Sequence, residues 1–177
     1  RLLKYLMKHN HYSPFEMVSM CVQIDTTRDI SRQILRHRSF SFQEFSQRYE
    51  DATKLGDMVE RDCRLQDTAN RQNSLECDDP TTTELFLNEQ NMVWDYAITA
   101  YQCALDAGVA KEQARALLPE GLTPTRMYMT GTIRSWIHYI QVRADETTQK
   151  EHRVIAEQVL QVLREAAPVT AAAFFGE

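Results

Sequence analysis

Residues 36–49, RHRSFSFQEFSQRY, decide how the rest of this chain reads. Counting back to Arg28, five arginines (Arg28, Arg32, Arg36, Arg38 and Arg48) and His37 fall between positions 28 and 48 of a 177-residue chain whose formal net charge is -5. An acidic protein that gathers guanidinium groups in one place is suited to holding an anion there. Each arginine fork matches phosphate or carboxylate oxygens two at a time. Arg32 and Arg36, four apart, are expected to share a helix face, where like charges repel unless something negative lies near. A solvated basic face with Asp29 and Glu44 as ion-pair partners answers that requirement as well as a ligand does, and both readings stay open on the residues alone.

Composition narrows the class. At 43% hydrophobic residues the chain reads as one domain, long enough to bury roughly 70% of its unfolded surface. No stretch approaches the ~20 apolar residues of a membrane span and no charged-then-apolar leader precedes the first element, so a soluble, cytoplasmic protein is expected. Cys21, Cys63, Cys77 and Cys103 lie far apart, without Cys-x-x-Cys or a histidine at ligand spacing. Neither a metal site nor a disulfide framework is indicated, and reduced thiols are expected. The five glycines form no Gly-x-Gly-x-x-Gly and no P-loop, so any bound dinucleotide must be neutralised by side chains.

Along the chain, residues 1–12 read as a helix that ends at HYSPFE, with Pro14 biasing Ser13 to an extended conformation. Alternation in residues 17–25 predicts a half-buried strand with Val18, Met20, Val22 and Ile24 inward. Thr26 or Thr27 caps a helix to about Arg36 with Ile30, Ile34 and Leu35 inward. Residues 50–80 read as irregular or loosely helical surface. A long helix from Thr81 to about Gly108 carries Leu85, Met92, Val93, Tyr96, Ala100, Tyr101 and Ala104, as core or subunit interface. Then come a helix over 110–118, a strand over 123–131, and a helix over 132–142 with Ile133, Trp136, Ile137 and Ile140 inward and Arg134 and His138 on the other face. A last amphipathic helix through Val154, Ile155, Val159, Val162 and Leu163 stops at Pro168, after which Phe174 and Phe175 tuck the tail onto the body.

The pattern Arg36-His37-Arg38, seven residues, Ser46, one residue, Arg48-Tyr49 resembles the signature of the flavin-dependent thymidylate synthases. HYSPFE at 11–16, Arg32-Gln33, Ala114-Arg115 with Leu118-Pro119, and IRSWIHYIQVRAD at 133–145 stand in that family's order and spacing. The resemblance implies an α+β fold, a central twisted and mostly antiparallel sheet flanked by helices, as one domain over 1–177. It also implies that an N-terminal segment of the family precedes Arg1.

The function implied is conversion of dUMP to dTMP, with methylene-tetrahydrofolate as carbon donor, FAD as hydride carrier and NADPH as reductant. The sites would be shared among the subunits of a homotetramer, without membrane or nucleic acid as partner. By similarity, dUMP would meet Gln33, Arg36, Glu44, Ser46, Gln47, Arg48, Arg115 and Arg143. FAD would meet Ser13, Arg36, His37, Arg38, Glu44, Thr132, Arg134 and His138, with His11 and Glu16 shaping the site. Arg143 is the expected catalytic residue, stabilising negative charge on the activated uracil ring. The chain departs from the common pattern at Thr132 and His138, where the family has asparagine, at Gln47, where it has glycine, and at Thr147, where it has histidine.

Each of these residues also has a purely structural reading. His11 could cap the first helix, His138 could be a polar-face histidine, Arg115 an exposed helical arginine, and Arg143 a helix-dipole partner. Ser46 as a nucleophile is disfavoured because no Ser-His-acid arrangement is evident. A degenerate homologue that binds nucleotide without turnover is the main alternative to the enzyme. An arginine-rich nucleic-acid-binding module is opposed by the overall acidity.

Overall fold

The computed structural model describes residues 2–176. Helices and strands mix along the chain, and the larger sheet has the strand order β1-β5-β2, with β1 at Ser19–Thr27, β2 at Ser41–Glu44 and β5 at Pro124–Thr132. Gln23 meets Tyr128 and Asp25 meets Arg126, so numbers rise on β1 as they fall on β5, and the pair is antiparallel. The α+β expectation holds. By its contacts the backbone groups into two compact units, residues 2–24, 34–42 and 128–176 in one, and 25–33 and 43–127 in the other.

In the first unit, α1 (Leu2–Lys8) stops because Asn10 turns into the left-handed region at φ 57°. The Asn10 and His11 amides then donate to the Met7 and Leu6 carbonyls at 3.0 and 2.8 Å, a Schellman cap. His11 thus closes the helix through its backbone. The expected extended conformation at Ser13 gives way to a 3-10 turn, Ser13–Glu16, because proline in a first turn forfeits no needed N–H.

Ser19, not Met17, begins β1, and Val18 is exposed while Val22 and Ile24 are buried as expected. Thr132 caps α5 (Ile133–Arg143), its Oγ1 accepting from the Ser135 amide at 3.2 Å. Ile133, Trp136, Ile137 and Ile140 are buried, and Arg134 and His138 exposed, as the periodicity predicts. Gly131 is required where it stands: a Cβ there would lie 2.4 Å from the Phe40 ring, which Trp136 holds edge-on at 4.7 Å. On α6 (Lys150–Ala166), Ile155, Val159 and Leu163 are buried, whereas Val154 and Val162 lie on its shoulder. Pro168 opens α7 (Pro168–Phe175) as well as following α6, and Phe174 packs on Phe15 at 5.1 Å.

In the second unit, α2 begins at Arg28 behind Thr27. Along the chain α2 runs Arg28–Ile34, not to Arg36, so Leu35 leaves the inward face and is exposed. Residues 50–80 are more ordered than their polarity suggests. They hold a 3-10 turn, Ala52–Leu55, and an antiparallel hairpin of β3 (Arg64–Gln66) and β4 (Ser74–Glu76), with Leu65 opposite Leu75. The hairpin was hidden because both leucines face solvent and neither strand alternates long enough to show a period of two.

Asp79 caps α3 (Pro80–Asp106). Its buried face is Gln90, Trp94, Ala97 and Tyr101. Of the residues expected inward, only Tyr101 is fully buried, while Leu85, Met92, Val93 and Tyr96 are exposed, Tyr96 at 80%. Polar anchors choose the face: Trp94 Nε1 donates to Asp57 at 2.5 Å, the Ala52 amide donates to Tyr101 Oη at 3.2 Å, and Gln90 bonds the Arg61 backbone in both directions. The helix expected over 110–118 is α4 (Lys111–Ala114) followed by a 3-10 turn, Arg115–Leu117.

Candidate active site

In the second unit Arg28, Arg32, Gln47, Glu112, Arg115 and Glu120 line a cleft of about 320 Å³. α2 presents the first two arginines one turn apart, the turn after β2 presents Gln47, and Arg115 comes from the 3-10 turn before Pro119. The acids sort the cations. Arg32 is gripped by both Glu120 oxygens, its Nε at 2.7 and 2.9 Å, and that hydrogen bond raises its pKa. Arg28 reaches Glu44 Oε1 at 3.2 Å, where Ser31 and Thr125 hydroxyls also donate at 2.8 and 2.9 Å. Glu44 is therefore an internal hub. Arg115 Nε donates to a backbone carbonyl, that of Glu112, at 3.2 Å, so this contact leaves its charge uncompensated.

Gln47 is 5% exposed, and its Nε2 has no hydrogen-bond partner. A buried amide donor without an acceptor costs on the order of 1–3 kcal/mol, and Gln47 is among the residues that line the cleft. Ser46 heads the same turn, its carbonyl accepting from the Tyr49 and Glu50 amides, and the exposed Arg48 lies over the Tyr49 ring at 5.2 Å. Gln33 is half-buried near the end of α2.

The expected Arg32/Arg36 repulsion does not arise, because Arg36 has left the helix and Arg32 is neutralised by Glu120. Of the bland ion-pair partners, Glu44 takes Arg28, and Asp29 takes Arg61 at 2.6 Å.

In the first unit a second group forms around Arg143, the last residue of α5. Its Nε donates to His37 Nε2 at 2.9 Å. An arginine N–H can only donate, so His37 is neutral with its proton on Nδ1. Burial, then the charges of Arg143, His138 and Arg36, lower the His37 pKa to about 4. The ring lies edge-on to Tyr139 at 5.0 Å, and Tyr139 Oη pairs with His152 Nε2 at 3.1 Å. His152 is fully buried, and burial followed by Arg143 and His37 lowers its pKa to about 4 as well. Burial pushes the Tyr139 hydroxyl above its usual range.

The exposed Arg36 and Arg38 flank His37 in the chain. Arg134 donates to Glu16 at 2.6 Å and lies 6.0 Å from the Tyr12 ring, which ties α5 to the turn that holds Ser13. His11 and His138 are exposed, and the Thr132 hydroxyl is committed to its cap. Tyr139 and His152 were missed by sequence reasoning. The available signal was a histidine in register with the apolar positions 155, 159 and 163 of α6.

Among the described residues no group of three or more His, Cys, Asp or Glu could hold a metal ion, and no helix is long and apolar enough to cross a membrane.

Fold and side chains together define an α+β protein with an arginine-bearing cleft in the second unit and an arginine–histidine–tyrosine cluster in the first. The family described as thymidylate synthase complementing protein matches residues 1–169. The flavin-dependent thymidylate synthase of Synechocystis sp. is 49% identical over 176 residues, 98% of this chain and 79% of that protein. A probable flavin-dependent thymidylate synthase of Paramecium bursaria Chlorella virus 1 is 43% identical, across 97% of this chain and 78% of that one. Among solved structures, the UMP/dUMP methylase PolB from Streptomyces cacaoi bound with 5-Br UMP superimposes with a TM-score of 0.84 at 28% identity, over 98% of this chain and 80% of that one. The chain belongs to the flavin-dependent thymidylate synthase family.

Proposed function

We propose that this protein methylates dUMP to dTMP, taking the carbon from methylene-tetrahydrofolate and reducing equivalents from NADPH through FAD, as a cytoplasmic homotetramer. The buried, unpartnered Gln47 amide beside Arg115 carries the nucleotide reading. Gln47 and Arg115 line a cleft large enough for a phosphate monoester. Arg115 supplies charge there, Gln47 Nε2 supplies a directed donor, and Ser46 and Arg48 stand on the same turn. Glu44 acts by fixing Arg28 and Ser31. Gln33 in the second unit, and Arg36 and Arg143 in the first, are assigned to the nucleotide by the family resemblance alone. In the family such sites are built where subunits meet, so one site can draw on more than one copy of the chain.

The first unit suits a flavin dinucleotide. Exposed Arg36, Arg38 and Arg134 provide cationic donors for a pyrophosphate where no glycine-rich turn exists, and His138 stands one helical turn beyond Arg134. Ser13, on the turn that Arg134 and Glu16 tie to α5, fits the same reading. Bound there, FAD supplies hydride chemistry that no side chain can. The chain's own part is position and field. Arg143, held by neutral His37, presents a fixed positive charge to the uracil as negative charge develops at N3 and its neighbouring oxygen. Neutral His37 adds no competing charge beside it.

The test is turnover: purified protein with FAD, dUMP, methylene-tetrahydrofolate and NADPH, with dTMP read by mass spectrometry. The proposal expects dTMP only when all are present. Flavin binding without dTMP would instead indicate a nucleotide-binding homologue without turnover. Arg143→Ala is expected to abolish dTMP formation while leaving flavin absorbance nearly intact, and near-normal turnover in that variant would remove Arg143 from its role.

A further inference from the structure

The four cysteines appear unrelated in the sequence, but the β3–β4 hairpin brings two of them together. Its register sets Arg64 opposite Glu76. Cys63 and Cys77 are the residues just outside that pair, and continuing the register by one step would set them opposite each other. Facing residues of an antiparallel pair have Cα atoms about 4.5–5.5 Å apart, inside the window of about 4.4–6.8 Å that a disulfide requires. Both side chains are on the face that carries Leu65 and Leu75, since side chains alternate along a strand.

The thiols also meet. The two sulfur groups lie close enough to interact, and each donates to a carbonyl at the start of α3, Cys63 Sγ to that of Thr82 at 3.9 Å and Cys77 Sγ to that of Asp79 at 3.7 Å. Asp79 is the residue that caps α3, its carboxylate accepting from the Thr81 and Thr82 amides. Both cysteines are half-buried, open enough for a small oxidant, whereas Cys21 and Cys103 are exposed on β1 and α3.

We propose that Cys63 and Cys77 are a redox modification site, a reversible disulfide that clamps the root of the β3–β4 arm at the start of α3. With a low-molecular-weight disulfide such as glutathione disulfide as oxidant, the Cys77 thiolate attacks one sulfur and expels one thiolate, leaving a mixed disulfide. The Cys63 thiol then loses its proton to solvent and displaces the second thiol. In sum, two protein thiols and one small disulfide become one protein disulfide and two small thiols. Burial, followed by the hydrogen bond from Cys77, raises the Cys63 thiol. The second step therefore accelerates as pH rises, because the thiolate is the nucleophile. Closure covalently joins residues 63 and 77 and restricts the unfolded arm more than the folded one.

The experiment exposes the purified full chain to graded ratios of oxidised to reduced glutathione, titrates free thiols and maps peptides without reduction. Trypsin cuts after Arg64 and Arg71, between the two cysteines, so only a disulfide can keep them in one species. The expected result is loss of two of the four thiols, a cross-linked peptide pair containing Cys63 and Cys77, and full reversal by a dithiol reductant. Cys63→Ser should leave Cys77 carrying glutathione alone, and Cys21→Ser with Cys103→Ser should still lose two thiols. Four thiols surviving the most oxidising ratio, glutathione adducts alone in the unsubstituted protein, or a cross-link through any other pair would overturn the proposal.

Discussion

Gln47 is a buried residue in the lining of the arginine-bearing cleft, and its amide Nε2 has no hydrogen-bond partner. Replacing it with leucine, of similar volume, removes the donor and spares the packing. A hydrogen bond to a charged group is worth about 1.5–3 kcal/mol, so Gln47→Leu is expected to raise the KM for dUMP by roughly ten- to a hundredfold with kcat little changed. Steady-state kinetics check this, and an unchanged KM would assign Gln47 to structure alone.

His37 and His152 set a second residue-scale expectation. Each has its pKa lowered in the folded state to about 4, so between that value and the ordinary histidine value of about 6.5 the unfolded chain binds more protons. Stability is then fully present above about pH 6.5 and is lost as pH falls toward 4. Thermal melts across that range should show it, and His152→Phe should flatten the dependence. Arg36, His37, Arg38 and Arg143 were legible as single residues because their motifs are short and local. The contact of Arg143 with His37, 106 positions away, was not.

Among the elements, α5 was read nearly as it stands, because a cap, an apolar stripe and a polar face all agree within a dozen residues. In α3 the same arithmetic marked an apolar face that is mostly exposed within the chain. Its stripe of Leu85, Met92, Val93 and Tyr96 is apolar and periodic, but Gln90, Trp94 and Tyr101 are tied inward by hydrogen bonds to Arg61, Asp57 and Ala52, residues 29 to 49 positions upstream. Periodicity reports that a face is apolar and not what covers it. The sequence expectation also allowed a subunit interface, and an exposed apolar stripe continuous with an apolar groove at Leu117 and Pro119 is the kind of surface such a contact needs. Tyr96→Glu with Met92→Glu is therefore expected to shift the protein to a smaller species in light scattering without lowering its helix content. A shift in mass is the expected outcome, and an unchanged assembly would move the interface elsewhere. The β3–β4 hairpin was missed for a different reason: its strands are too short and too exposed to carry a period.

At the scale of the whole molecule, the proposed function assigns the substrate's phosphate to guanidinium and amide side chains in place of a glycine-rich cradle. Arg28 and Arg32 are matched to Glu44 and Glu120, whereas the Arg115 contact is to a carbonyl. Among the described residues, Arg115 is thus a cation of the cleft without an ion pair, and Glu112 lies in the same lining. Calorimetric titration of dUMP into the flavin-loaded protein and its Arg115→Ala variant tests this most directly. The account predicts dUMP binding weakened by roughly ten- to a hundredfold in the variant, the scale of a lost charge-assisted pair of about 1.5–3 kcal/mol, with flavin content unchanged. Equal affinity in the two proteins would contradict it.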